Sequence, residues 1–239
     1  MKNRLGSIEM NVYELKIKIY LLKDIKIEEI QSYLAYFIDS VLVKENEFLN
    51  IHETNMYKFY TFDSLYPLAK NGVYQKDDSY VFRIRTVDYK LAEYLYKTLI
   101  KNRTKEIQGL TGEIKIIKPK MIKKLYTLTP IILKTEHGYW KNSIKVEEFE
   151  KRLKINLIKK YNGITGDKMD EDFQLYYQIN FKNKVPVSRM YKGIKLLGDM
   201  IELEITENEN AQKLAMLAIG AGLLEMNARG FGFVNYSFY

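Results

Sequence analysis

Residues 218–236 read Ala218-Ile-Gly-Ala-Gly-Leu-Leu-Glu-Met-Asn-Ala-Arg-Gly-Phe-Gly-Phe-Val-Asn-Tyr236. Two Gly-x-Gly pairs, Gly220/Gly222 and Gly230/Gly232, bracket a short stretch that holds Glu225, Asn227 and Arg229. An apolar helical pattern, Leu214 to Ile219, runs into the segment, and an aromatic, strand-like run, Phe231 to Phe238, leaves it. Glycine takes positive φ at little cost and lets main chain approach a bulky anion. Amide N–H groups beside an arginine then make a phosphate cradle. On this reading the four glycines, Asn227 and Arg229 grip a polyanion; the plainer alternative is a turn between a helix and an edge strand. The dinucleotide-binding fingerprint is excluded, because it needs a strand before the glycines and a helix after them.

Working back from this segment, the chain shows the same element order twice. Tyr13, Leu15, Ile17, Ile19 and Leu21 alternate with mostly polar residues, which predicts a half-buried strand. Ile27, Ile30, Leu34, Phe37, Ile38 and Val41 recur at helical spacing. Tyr57 to Phe62 reads as a strand, Gly72 to Asp78 as a turn and Tyr80 to Val87 as a third strand. Asp88 is placed to cap a helix carrying Leu91, Tyr94, Leu95 and Leu99, and Glu113 to Lys118 gives a fourth strand. The second half predicts a strand over Leu125–Leu133 and a helix marked by Val146, Phe149, Leu153, Leu157 and Tyr161. A strand over Phe173–Phe181 follows, then a hairpin of Val187–Leu197 with Met200–Thr206 turning at Gly198-Asp199. A helix over Ala211–Ile219 and the final strand complete it. Two β-α-β-β-α-β units make an α+β protein of two tandem ferredoxin-like domains. Their expected extents are 10–118 and 124–239, joined by the basic connector Lys118 to Lys124; residues 1–9 precede the first strand pattern and are set aside as a leader. Such a fold implies no function by itself.

Composition narrows the chemistry. The 239 residues contain no cysteine, which excludes disulfides and thiolate metal sites. With only His52 and His137, a histidine-rich metal centre is also excluded, while a carboxylate magnesium site stays open. No apolar run reaches the ~18 residues of a membrane span, and the N-terminus has no apolar signal core; an intracellular, cytoplasmic protein with no membrane partner is expected. The net charge of +8 and pI near 9.2 favour a polyanionic partner. Among 20 tyrosines and 11 phenylalanines, most are expected in the core. Exposed aromatic rings would stack on unpaired bases.

Asn227-Ala-Arg-Gly-Phe-Gly-Phe-Val-Asn235, with the doubled glycine pairs and their C-terminal place, resembles the ending of a family of CRISPR-associated endoribonucleases. These belong to the RAMP superfamily and cut precursor guide RNA within its repeats. The resemblance implies two ferredoxin-like domains, no cofactor, and cleavage in which the RNA's own 2′-hydroxyl attacks the adjacent phosphorus. It implies CRISPR repeat RNA as partner, alongside other effector-complex subunits or a second copy of the chain. It maps a catalytic histidine onto His52, just before Lys58-Phe-Tyr-Thr-Phe62, and a transition-state cation onto Lys58. Imidazole suits proton transfer because its unperturbed pKa is about 6.5. A tyrosine from the preceding helix maps onto Tyr36, with Tyr33 as the alternative and His137 as a second candidate histidine. Arg83 and Arg85 share one strand face and are expected to contact RNA. So are Arg189 and Lys192, on the late hairpin where related enzymes grip a repeat stem-loop. The competing reading is a non-catalytic RNA-binding subunit of a CRISPR effector complex; an unrelated small-molecule sensor is a third.

Overall fold

The computed structural model describes residues 10–45 and 57–239. In chain order the first half runs β1 (Val12–Leu21), β2 (Ile25–Lys26), α1 (Ile30–Leu42), β3 (Tyr60–Phe62), β4 (Val73–Tyr74), β5 (Ser79–Thr86), α2 (Tyr89–Leu99) and β6 (Ile107–Ile117). The alternation in β1 works as its sequence demands: Leu15, Ile17 and Ile19 are buried and Lys16 and Lys18 are exposed. Asp88 accepts hydrogen bonds from the main-chain N–H groups of Lys90 and Leu91 and so starts α2. Leu91, Leu95 and Leu99 then face the sheet core. The antiparallel sheet has the order β3-β5-β1-β6.

The second half runs β7 (Ile122–Thr127), β8 (Lys134–Thr135), β9 (Gly138–Tyr139), α3 (Val146–Thr165), β10 (Tyr176–Phe181), β11 (Val187–Tyr191), β12 (Ile194–Gly198), β13 (Ile201–Ile205), α4 (Glu209–Ala221) and β14 (Val234–Phe238). One-turn 3-10 helices lie at Trp140–Asn142 and Asn227–Arg229. Its four-stranded sheet has the order β10-β13-β7-β14. Numbered within its own unit, each sheet therefore runs second, third, first, fourth strand, the ferredoxin-like arrangement that two β-α-β crossovers produce.

Several predicted elements change. The late hairpin does not turn at Gly198-Asp199. It is β11 paired with β12, turning at Lys192-Gly193, and β13 pairs instead with β10 and β7. Asp199 is fully buried; its carboxylate accepts from Tyr139, Trp140, Lys141 and Asn183, so it ties the β9 region to the strand ends. Acceptor-only chemistry suited to four donors explains why this Asp is not a turn residue. The predicted turn at Gly72–Asp78 contains β4, paired with β2. Only Tyr60–Phe62 of the predicted second strand, and only Val234–Phe238 of the last, join a sheet.

The halves interlock. Ala228, from the glycine segment, packs in the first core, and Val12 and Ile117 pack in the second. The hairpin reaches back to α1: Met190 N–H donates to Glu28 O at 2.8 Å, and Ser32 Oγ donates to Met190 O at 2.9 Å. Among the described residues, no helix is long and apolar enough to cross a membrane.

Candidate nucleic-acid cleft

The glycine segment is a closed clasp rather than an open cradle. Gly220 lies inside α4, where its lack of a side chain admits Val87 and Val12; an added Cβ would sit 2.7 Å from Val87 Cγ1. Gly222 and Gly232 take positive φ of 74° and 67°, and the space a Cβ would need at each is filled by Asn227 and by the Leu223 carbonyl. The amides expected to hold phosphate are committed within the protein. Gly222 N–H donates to Ala218 O, Leu223 N–H to Gly232 O, Gly230 N–H to Asn227 O and Gly232 N–H to Pro130 O. Asn227, expected on RNA, is buried; its Nδ2 donates to Leu223 O at 2.8 Å and Phe231 O at 3.0 Å. These bonds close the loop on itself, because buried main-chain polar groups must find partners.

Lys160 completes the clasp, and sequence reasoning missed it. From α3 its Nζ donates to Gly222 O (2.8 Å), Leu224 O (2.8 Å) and Asn227 Oδ1 (2.7 Å). Burial lowers its pKa to about 7, while three acceptors call for the three N–H donors of an ammonium group. The signal was present: Lys160 follows Leu153 and Leu157 on the apolar stripe of α3, where a solvated lysine does not belong.

In front of the clasp lies a cavity of about 390 Å³, lined in part by Tyr57, Lys58, Lys134, Tyr191, Glu225 and Arg229. That volume falls within the ~300–1,000 Å³ of small-ligand sites. The chain approaching β3 supplies Tyr57 and Lys58, the 3-10 turn supplies Arg229, and the end of β11 supplies Tyr191. Arg229 Nη1 pairs with Asp39 Oδ2 of α1 at 2.5 Å, and its guanidinium carbon lies 5.9 Å from the Tyr191 ring centre. Burial alone would lower the Arg229 pKa, but Asp39, Tyr60 and Tyr191 outweigh it and raise it. Lys58 is held below the usual lysine value by burial, then by Arg229 and Lys192, against the pull of Asp39. A cluster of cations in a partly desolvated cleft attracts phosphate.

The structure thus brings Lys58 and Arg229 together, with Lys192 exposed at the hairpin turn close enough for its charge to act on Lys58. Tyr36 is 60% exposed on α1, one turn before Asp39, and is not among the cavity's lining residues. Tyr33 accepts a hydrogen bond from Lys23 at 3.0 Å. His52 lies outside the described residues. His137 is exposed in the turn between β8 and β9.

Three arginines expected on RNA are engaged elsewhere. Arg85 is 1% exposed; it pairs with Glu14 and donates to Val234 O at 2.6 Å, between the two sheets. It shares its strand face with Arg83 as predicted, but Phe233 covers that face, its ring centre 4.5 Å from the Arg85 guanidinium and 5.2 Å from that of Arg83. Arg83 is held by Asp63 at 2.6 Å. Arg189 is half-buried, donates to Ser188 O, and has its pKa lowered by burial.

Residues 117–236 match the family described as CRISPR associated protein Cas6, C-terminal. The chain belongs to the Cas6 family. Over 92% of its length, and 98% of the relative's, it is 21% identical to CRISPR-associated endoribonuclease Cas6 2 of Methanocaldococcus jannaschii. A solved structure of a CRISPR associated protein Cas6 superposes with a TM-score of 0.68 at 21% identity, covering 95% of this chain and 99% of that one. A RAMP protein described as binding different RNA substrates superposes with the same score and identity, covering 94% and 99%. These likenesses carry the fold, a Cas6 architecture of two ferredoxin-like units.

Proposed function

We propose that this Cas6-family chain is an endoribonuclease that cuts CRISPR precursor RNA within its repeats, by 2′-hydroxyl attack and without a metal ion. The units responsible are residues 10–118, which carry the reacting groups, and 124–239, which carry the clasp. The observation that carries the reading is the convergence of Lys58 and Arg229, from opposite halves of the chain, on one aromatic-rimmed cleft.

RNA brings its own nucleophile, so the protein need only align the phosphate, move two protons and steady the charge on phosphorus. The 2′-oxygen bonds to phosphorus as the bond from phosphorus to the 5′-oxygen breaks. The 2′-proton passes to a base and a second proton is delivered to the 5′-oxygen, leaving a 2′,3′-cyclic phosphate and a 5′-hydroxyl. His52, six residues before Lys58, is assigned one of these transfers. Lys58 and Arg229 face the non-bridging oxygens, and Lys192 extends the cationic track along the hairpin. Tyr36 is the helix tyrosine whose exposure leaves it open to substrate. The partners are repeat RNA and, after cutting, other CRISPR effector subunits.

The test is cleavage of a repeat RNA in EDTA. Wild-type protein should cut once per repeat and leave cyclic-phosphate ends. His52→Ala should still bind RNA but cut roughly 10²–10⁴-fold more slowly, the usual worth of one positioned acid or base. Tight binding by wild type without cutting would make the chain an RNA-binding subunit instead. Undiminished cutting by His52→Ala would remove His52 from the mechanism.

A further inference from the structure

Glu225 is a carboxylate that cleavage does not use, in a cavity whose other charged walls attract phosphate. Its main chain is fixed by a hydrogen bond from its N–H to Ile132 O at 3.2 Å. Its side chain lines the cavity together with Lys134. Burial pushes its pKa up, against the opposing charges of Lys134, Arg152 and Lys160. Its charge also acts on Lys160, whose three hydrogen bonds go instead to Gly222, Leu224 and Asn227. Among the described residues Glu225 makes no ion pair. Its charge does act on the phenol of Tyr57, which lines the same cavity and is 38% exposed. An accessible aromatic ring, with Lys160 Nζ 5.9 Å from its centre, and an unpaired carboxylate therefore line one cavity.

A carboxylate only accepts hydrogen bonds. Among unpaired bases, guanine alone offers two adjacent donors, N1–H and N2–H, to its two oxygens. Adenine and cytosine present one amine next to a ring acceptor, and uracil one N–H between two carbonyls. Aromatic side chains stack unpaired bases and leave such edges to be read.

We propose that Tyr57 and Glu225 form a guanine subsite: an unpaired guanine of the RNA stacks on the Tyr57 ring and donates N1–H and N2–H to the Glu225 carboxylate. The subsite rests on the RNA-cleavage reading above and adds to it a base next to the scissile phosphate.

The experiment replaces each guanosine within two nucleotides of the cut by inosine, which lacks the N2 amine. Binding and single-turnover cleavage are measured for wild type, Glu225→Gln, Glu225→Ala, Tyr57→Phe and Tyr57→Leu. At one position inosine should weaken wild type roughly tenfold, the order of one lost base-edge contact. In Glu225→Ala the guanosine and inosine RNAs should behave alike. Tyr57→Phe should keep the discrimination, and Tyr57→Leu should lose affinity for every base at that position. Glu225→Gln, which keeps the shape and removes the charge, carries the comparison if the alanine variant unfolds. Wild type indifferent to inosine at every position, or an inosine penalty that survives in Glu225→Ala and Glu225→Gln, overturns the subsite while leaving cleavage intact. Wild type that ignores repeat RNA altogether overturns both.

Discussion

Arg85 and Arg229 each face a carboxylate from a distant part of the chain, yet they do opposite work. Arg85 and Glu14 are 1% and 8% exposed, and every arm of the guanidinium is used: Glu14, Val234 O, Asn235, and the faces of Phe233 and Tyr236. Arg229 and Asp39 are 16% and 20% exposed. Among the described residues, the hydrogen bonds of Arg229 all come from Nη1, so Nε and Nη2 are not consumed as those of Arg85 are. What decides between staple and ligand-binding group is how many of the five N–H donors the protein itself consumes. Burying Arg85 between the sheets lowers its pKa against the pull of Glu14, so its charge is held at a cost that only a full set of partners offsets.

The largest effect should follow from breaking the staple. Arg85→Ala leaves Glu14 buried without its cation and should cost about 3–5 kcal/mol in urea unfolding. Replacing both partners, Arg85→Met with Glu14→Leu, should recover much of that loss, because an apolar pair leaves no buried charge. A loss below about 1 kcal/mol for Arg85→Ala would mean that the two arginine regions do not differ as described.

Next in size is Arg229→Ala. It should lower repeat-RNA affinity roughly tenfold, the worth of a charge-assisted contact. It should also take about 0.7 off the slope of log affinity against log salt, the share of one phosphate on a single strand. Its stability loss should be smaller than that of Arg85→Ala. Equal destabilisation by the two variants, with RNA affinity unchanged, would make Arg229 a second staple and empty the cleft of its main cation.

Much of this architecture was legible in the sequence. Period-two alternation gave β1 and β5, and Asp88 gave the start of α2, because those signals arise from local geometry. The late hairpin was misread because Gly198-Asp199 carries turn chemistry, and nothing local says that Asp199 will collect Tyr139, Trp140, Lys141 and Asn183. The sharp bends of the glycine segment were legible, but the partners of its amides were not: spacing shows that a backbone can bend sharply, not which carbonyls will take its N–H groups. Arg83 and Arg85 show the same limit. Their shared face follows from strand geometry, whereas Phe233 covering it is a contact across about 150 residues of chain.

The smallest effect concerns pH and compares Lys58 with Arg229 inside one cleft. Burial, Arg229 and Lys192 hold Lys58 below the ordinary lysine pKa, whereas Arg229 is held above its own. A bound phosphate would favour the charged lysine, so its pKa should be higher in the complex than in the free protein. Between those two values binding takes up a proton, and RNA affinity must fall as pH rises; one proton limits the fall to about tenfold per pH unit. The window opens below the ordinary value of 10.5, since the free-protein shift is downward. Arginine stays protonated throughout, so Lys58→Arg should flatten the profile and Arg229→Lys should not. A repeat RNA with a 2′-deoxy nucleotide at the cut allows titration without cleavage, and Lys58→Arg corrects for ionisation of the bases. If wild type and Lys58→Arg lose affinity in parallel between pH 7 and pH 10, Lys58 is not a phosphate contact, and Arg229 holds the phosphate without it.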